Sequence, residues 1–263
     1  MVYLRLIAQF IRASIMEETS YRVNFWINLL HSLLNLTTGV LGVYILFAQI
    51  ERVNGWGFPA ALAVLGVYLT IQALRNLFIG PSLDILAGMD GEVWSGNLDF
   101  TLVRPVNIQF LASFRRWHLF ALFDLILGLG VLVFAVVRMH EALTLPNIGL
   151  FLLTLVAATG ILYAILLAFS ALVFWSPGVM FTWIFDGVFQ LGRYPLGLYP
   201  GWVRLALTWI IPVGVITTIP AQALSGDLSM NQLALILLMS VVLVFCASLF
   251  FKAALRRYAS ASS

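Results

Sequence analysis

Ionisable side chains inside long apolar runs are the first candidates for chemistry in this sequence, in which only 10% of the residues are charged. Arg75, Asp124 and Asp186 each stand among hydrophobic residues. Within a membrane, such residues pair with one another, face water, or carry protons or substrate. We predict a structural ion pair between Arg75 and Asp124. Asp186 has no evident partner and is a candidate for a proton-relay or substrate role.

A polar stripe marks the first apolar run, NFWINLLHSLLNLTTGVLG. At about 100° per residue, its five members fall within an arc of about 80°: Asn24, Asn28, His31, Asn35 and Thr38. Polar side chains in lipid require partners, so this face is predicted to meet another helix or a wet cavity. A seam between subunits would satisfy either interpretation.

The stretch GEVWSGNLDFTLVRPVN, residues 91–107, is a polar island between two apolar runs. A short amphipathic helix is predicted over residues 84–94, parallel to the membrane and ended by Gly96. Its apolar docking groups would be Ile85, Leu86, Met89 and Trp94. Asp90 and Glu92 would face a basic partner, and Arg104-Pro105 would redirect the chain into the next apolar run.

Catalytic and metal-binding signatures are absent from the sequence. The chain has no glycine-rich loop leading into Gly-Lys-Ser/Thr, which a phosphate-binding loop requires. The three histidines stand in separate segments without paired ligands, at His31, His118 and His140. A Gly-x-Ser-x-Gly nucleophile elbow is missing as well. We therefore expect no catalytic residue, no cofactor and no metal in this chain, and the lack of a long basic face excludes nucleic acid as a partner.

The elements that must position these residues are membrane helices. Apolar runs of about 20 residues, long enough to cross a bilayer core of roughly 30 Å, recur along a chain that is 62% hydrophobic. Predicted crossings lie at 24–48, 59–81, 108–137, 147–173 and 231–252. Residues 1–22 are too charged to span and are predicted to form an amphipathic helix in the membrane interface, in contact with lipid.

The basic residues predict the orientation of these crossings. Nine of them precede the first crossing, follow the second or close the chain: Arg5, Arg12, Arg22, Arg104, Arg115, Arg116, Lys252, Arg256 and Arg257. The loops on the opposite side offer only Arg52 and Arg138. The positive-inside rule therefore places both termini and the polar island in the cytoplasm.

A proline-broken region over residues 176–224 allows two layouts. In one, residues 179–197 cross outward and residues 200–224 form a re-entrant hairpin on the outer side, which suits the proline-free stretch before 193. In the other, residues 176–200 are cytoplasmic and 202–222 cross, which suits the charges of Arg193 and Arg204. Either layout gives six crossings.

The sequence resembles the permease subunits of type 2 ABC exporters over essentially its whole length. The interfacial N-terminal helix and the six crossings carry the resemblance. SGNLDFTLVRPVN is similar to the family's Gly-x-Leu-Asp-x-x-Leu-x-x-Pro element, and RYPLGLYPGWVRLALTWIIPVGVITTIPAQALSG is similar to its outer hairpin. These motifs are degenerate and carry no information on the cargo.

The resemblance implies a single all-α permease domain over residues 1–263, with a coupling segment at 82–106 and an outer re-entrant hairpin at 198–224. It implies a second permease chain, identical or paralogous, and separate ATPase subunits that bind ATP and Mg. The cargo would be hydrophobic or amphipathic, and the location the bacterial cytoplasmic membrane. Residues of the coupling segment would contact the ATPase: Asp84, Asp90, Glu92, Trp94, Asp99 and Arg104. The alternative is an ion-coupled secondary transporter that uses Asp186 or Asp124.

Overall fold

A computed structural model describes residues 2–19, 22–88, 91–139, 144–176 and 181–258. Within them, five helices are long and apolar enough to cross a membrane: Asn24–Phe47, Phe58–Ala87, Ala121–Met139, Leu145–Phe174 and Met230–Leu255. A sixth is obtained only if two shorter helices, Gly201–Ile210 and Val213–Ser225, are taken as one span bent by 92°. The chain is an all-α polytopic membrane protein.

The helices are numbered in chain order. In the first half of the described chain they are α1 Val2–Thr19, α2 Arg22–Phe47, α3 Phe58–Leu74, α4 Gly80–Ala87, α5 Glu92–Ser95, α6 Leu98–Leu102 and α7 Ile108–Phe114. In the second half they are α8 Ala121–Met139, α9 Leu145–Ala171, α10 Phe181–Phe189, α11 Gly201–Leu205, α12 Val213–Ser225 and α13 Met230–Leu255. Two short strands, β1 Arg52–Val53 and β2 Trp56–Gly57, form a hairpin with Asn54 and Gly55 at positive φ in its turn.

Helix α3 lies at the centre of the molecule, and its residues from Ala61 to Ile71 are buried. It packs against α2, α8, α9 and α12. Glycines allow the closest of these approaches: a Cβ on Gly128 of α8 would stand 2.8 Å from the backbone nitrogen of Thr70. Small residues let membrane helices approach closely and gain van der Waals contact, which stabilises this pair.

The second crossing contains a π-helical segment, Arg75–Ile79, between α3 and α4. Pro81 follows it, and a proline cannot donate the backbone hydrogen bond that the carbonyl of Leu77 would receive in a regular helix. The backbone N–H of His118 donates to the Leu77 oxygen instead, at 2.7 Å. A distant loop therefore satisfies the carbonyl that the proline leaves free.

The predicted third crossing at 108–137 is wrong in its first part, because that stretch contains two helices. Helix α7 ends at Phe114, and α8 begins at Ala121. The intervening residues 115–120, RRWHLF, carry three basic side chains. The backbone N–H groups of residues 116–119 donate hydrogen bonds to other segments and not to the preceding turn of a continuous helix.

Residues 186–197 run along α3 in the opposite direction. Asp186 contacts Arg75, Phe189 packs on Tyr68, and Gly197 lies beside Trp56 and accepts a hydrogen bond from the Asn54 side chain at 2.8 Å.

The bent pair α11 and α12 has both ends at the same end of the helical bundle. Before it, Gly197 lies beside the β hairpin. After it, Gly226 lies near Asn147, at the start of α9. Between these points the start of α12 packs against residues 192–196, since Gly192 and Leu196 face Val213 and Gly214. The segment therefore enters and leaves the bundle on one side.

Candidate functional site

The polar island folds as two short helical turns, and the predicted single helix over 84–94 is wrong. Helix α4 continues the second crossing and ends at Ala87. After Gly91, α5 forms one turn and α6 another. Gly96 stops α5 in the left-handed region at φ 73°, as predicted. The predicted residues Met89 and Asp90 lie outside the described residues.

The Glu92 carboxylate is bound by two residues of this chain. Its carboxylate accepts a hydrogen bond from the Thr101 hydroxyl at 2.7 Å and lies 2.5 Å from a guanidinium nitrogen of Arg115. These contacts tie α5 to α6 and to the loop after α7. Within the chain, Glu92 has a basic partner in Arg115, 23 residues later; its contact with a basic group of a partner subunit stays a prediction.

Large apolar side chains are exposed across α5 and α6. Trp94 is 59% exposed, Phe100 72% and Val103 81%. Of the predicted docking groups, Leu86 is buried instead. The sequence interpretation singled out Trp94 but missed Phe100 and Val103. The signal that could have found them is the occurrence of bulky apolar residues in a stretch that is otherwise polar.

Asp99 and Arg104 differ in their surroundings. Asp99 lies close to Tyr258, which follows the last crossing. Burial first, and the nearby Asp99 carboxylate second, raise the pKa of the Tyr258 phenol. Arg104 is exposed beside Pro105. Tyr258, just after α13, therefore packs against the polar island, while Arg104 is exposed.

The loop over residues 115–120 connects the polar island to two other parts of the molecule. On one side, Ser82 of α4 accepts from the backbone N–H of Arg116 at 3.1 Å and donates to its carbonyl at 2.8 Å. On the other side is α1: Ser14 accepts from the N–H of Trp117 at 3.1 Å, and Glu17 pairs with Arg116. With Arg115 bound to Glu92, this loop contacts three elements at once.

Glu18 completes the attachment of α1, because its carboxylate accepts a hydrogen bond from the backbone N–H of Leu119 at 3.0 Å. Burial raises the pKa of Glu18, and the backbone hydrogen bonds from Leu119 and Phe120 oppose that shift. Burial, and then the charge of Arg116, lower the pKa of His118. His118 is therefore neutral at neutral pH.

The intramembrane charges pair differently from the prediction. Arg75 forms its ion pair with Asp186, at 2.6 Å, and not with Asp124. Asp186, for which no partner was expected, therefore has one. The α10 segment brings Asp186 to α3, and sequence spacing could not reveal this approach. In the described chain, Asp124 makes no ion pair or side-chain hydrogen bond.

A polar cavity of about 350 Å³ lies beside these charges. Its lining includes Arg75, Asp84, Arg116, His118 and Asp124, together with Asn28 and His31 of the stripe. Asp84, predicted to contact an ATPase, lies at this cavity, and its contact with a partner stays a prediction. Among the described residues, no group of three His, Cys, Asp or Glu side chains could hold a metal ion.

The polar stripe of α2 divides into two parts. Asn24 lines a second cavity that adjoins the first. Asn28 lines both cavities, and His31 lines the first. Farther along, Asn35 accepts a hydrogen bond from Arg193 at 2.6 Å, and Thr38 donates to its own helix backbone. The first half of the stripe thus faces cavities. In the second half, Asn35 binds Arg193 of the broken region.

A hydrogen-bonded group that the sequence interpretation missed joins three helices. Gln109 of α7 donates to Ser248 of α13 at 2.8 Å and to Tyr163 of α9 at 3.2 Å. Ser113 and Tyr163 are 2.7 Å apart. These residues stand singly in apolar runs, and no spacing in the sequence connects them. They fix α7, which directly follows the polar island, to two crossings.

Comparison with known protein families identifies a family for this chain. The family described as "ABC-2 family transporter protein" matches residues 33–262, which is most of the chain. No curated protein and no solved structure matches the chain.

Proposed function

Because the chain belongs to the ABC-2 family of transporter proteins and is a membrane permease, we propose that it exports its cargo by using ATP hydrolysis on separate ATPase subunits. Two permease chains, identical or paralogous, would form the path, and ATP and Mg would bind to the ATPases. The proposed location is the bacterial cytoplasmic membrane, with both termini and the polar island in the cytoplasm, as the basic residues favour.

The observation that carries this proposal is the exposed apolar surface of the polar island. Trp94, Phe100 and Val103 are exposed on the polar island, and exposed apolar side chains of this size are typical of a binding surface. Buried aromatic anchors contribute most of the affinity in protein interfaces. This surface suits the groove of a partner ATPase.

A connected set of contacts would carry motion from that surface into the membrane. Glu92 holds Arg115, and the loop that begins at Arg115 is bonded to α1, to Ser82 and to the Leu77 carbonyl of the second crossing. Discrete contacts of this kind can transmit a displacement only if they move as a unit. We propose that ATPase closure displaces the polar island and the loop together.

A secondary transporter is the less favoured alternative. It would require an intramembrane carboxylate free to exchange an ion. Asp186 is engaged by Arg75, whereas Asp124 makes no ion pair in the described chain, so pairing disfavours Asp186 alone in this role. Membership of the ABC-2 family favours ATP-driven transport instead.

The test is co-purification of ATPase subunits with the tagged permease. We expect an ATPase chain, identified by mass spectrometry and by its phosphate-binding motif, to accompany the wild type. Trp94→Ala and Phe100→Ala should each weaken its retention by roughly 30-fold, since loss of a hot-spot residue costs about 2 kcal/mol or more. The matched control is Trp202→Ala, another exposed tryptophan, 76% exposed, in α11.

Two results would contradict the proposal. One is a wild-type permease that carries no ATPase through purification at low salt. The other is equal retention of the ATPase by Trp94→Ala, Phe100→Ala and Trp202→Ala, which would make the polar island an ordinary loop.

A further inference from the structure

Three adjoining cavities form a groove from the exposed side of α2 into the polar interior. The innermost has a volume of about 350 Å³, the next about 410 Å³ and the outermost about 390 Å³. Phe120 lines all three, and Glu18 joins the outer two. Their combined size is that of a site for an elongated small molecule.

The outer part of the groove is aromatic. Phe25 packs edge-on against Trp26, Phe120 and Phe123, with ring centroids 5.2 to 5.4 Å apart. Trp26 is exposed. Aromatic faces attract cations and cover alkyl chains, so this ledge suits an apolar chain near a positive group.

The inner part of the groove holds more carboxylates than unpaired arginines. Its two arginines are neutralised within the protein, Arg75 by Asp186 and Arg116 by Glu17. The two carboxylates that line the same cavity, Asp84 and Asp124, make no ion pair or side-chain hydrogen bond in the described chain.

The other polar groups of the cavity do not offset this charge. His118 is neutral at neutral pH, because burial disfavours its charged form and lowers its pKa. Asn28 and Asn76 supply uncharged donors and acceptors. With the arginines paired and two carboxylates unpaired, a cation entering the cavity gains attraction without displacing an existing ion pair.

We propose that this groove binds a positively charged amphiphile, with its ammonium head between Asp84 and Asp124 and its alkyl chain along Phe25, Trp26 and Phe120. The inference rests on the proposed function in one respect: it takes the bound molecule to be the cargo. The recognition itself depends only on this chain, since all of these residues belong to it.

The experiment measures immobilisation of spin-labelled probes by the full-length permease in nanodiscs of uncharged lipid, without any ATPase. One probe is hexadecyl-trimethylammonium with a nitroxide on its tail, and the other is hexadecyl sulfate labelled in the same way. We expect the cationic probe to be immobilised at least tenfold more strongly. Asp84→Asn and Asp124→Asn should each reduce that preference several-fold, whereas Glu51→Gln, a change of an exposed acid on the hairpin side, should leave it unchanged.

Equal immobilisation of both probes, or preference for the sulfate, would overturn the proposal, and neither result depends on a variant that could misfold. An unchanged preference in the Asp84→Asn, Asp124→Asn double variant would overturn it as well. The outcome is independent of the co-purification test. If the permease binds the cationic probe selectively but retains no ATPase, the binding site is supported. Its role in ATP-driven transport is then contradicted.

Discussion

The ion pair between Arg75 and Asp186 joins the second crossing to the broken region. Replacing either partner leaves the other charge without its counter-ion in a poorly solvated place. In a double-mutant cycle, Arg75→Gln and Asp186→Asn should each lower the melting temperature, and the double variant should lose less than the sum. The coupling should be on the order of 1 kcal/mol, because Asp186 is 36% exposed.

The same cycle with Asp124→Asn is the matched control. Asp124 was the partner expected from sequence, and the structure places it elsewhere on the cavity wall. Arg75→Gln and Asp124→Asn should therefore have additive effects on the melting temperature. Coupling between Arg75 and Asp124 equal to that with Asp186 would contradict the assignment of the pair.

Glu18 predicts a pH dependence at the residue scale. Burial raises its pKa above the ordinary value of 4.5, so the folded state favours the protonated form. The stability from Glu18 is therefore fully present below pH 4.5 and is lost as the pH rises through the folded-state pKa. Glu18→Gln keeps an oxygen that can accept from Leu119 and cannot ionise. The Glu18→Gln variant should therefore not show this loss of stability with rising pH.

The measurement is the melting temperature of the wild type and of Glu18→Gln between pH 4.5 and 7.5. The difference between them should grow in favour of Glu18→Gln with rising pH, while Glu51→Gln should follow the wild type. A difference that is constant with pH would show that burial does not disfavour the ionised form of Glu18.

At the scale of elements, the bent pair α11 and α12 gives a labelling prediction. If residues 198–224 form an outer hairpin, cysteines at Gly201 and Trp202 should react with an impermeant thiol reagent in intact cells. A Cβ added at Gly201 would meet open space, so a cysteine fits there without strain. The single native cysteine, Cys246, is exposed and should first be replaced by alanine.

The internal standard is Val103→Cys, which is exposed on the polar island. It should react only after the membrane is permeabilised. Reaction of Gly201→Cys and Val103→Cys under the same condition would place both on one side of the membrane, and would restore the layout in which residues 176–200 are cytoplasmic.

For the whole molecule, the first half of the polar stripe predicts where a second permease chain lies. Asn28 and His31 are exposed beside a cavity that is open on one side. Cysteines at these positions should cross-link between two permease chains with a short bifunctional thiol reagent. Leu33 is exposed on the opposite face of α2 and is the control. Equal cross-linking through Leu33→Cys would show that the stripe does not mark the contact between the two permease chains.

Much of the fold could be predicted because the length and polarity of a run decide whether it crosses a membrane. Four crossings were located to within a few residues, apart from the C-terminal end of the second, which continues as α4 to Ala87. The break at residues 115–120 was missed. Hydrogen bonds that its backbone N–H groups donate to Ser14, Ser82 and Glu18 stabilise it, and these residues are far away in sequence.

The candidate site was less predictable for the same reason. Trp94 and the stripe were found from local patterns, namely an aromatic residue in a polar stretch and a helical spacing. The partner of Asp186 and the engagement of Glu92 by Arg115 depend on which segments meet in three dimensions. No local pattern contains that information.

The π-helical segment Arg75–Ile79 has a consequence for how this chain tolerates insertions and deletions. Such a segment accommodates one residue more than a regular helix of the same rise. Loss of a single residue there, such as Asn76, would let the helix continue as a regular one. Because the π segment takes up its extra residue within about one turn, the residues after it would keep their orientation, with Asp84 on the cavity wall and Ser82 beside Arg116. The same deletion in the regular helix α3 would instead turn everything after it by about 100° and change the angular phase of the helix end that leads to the polar island.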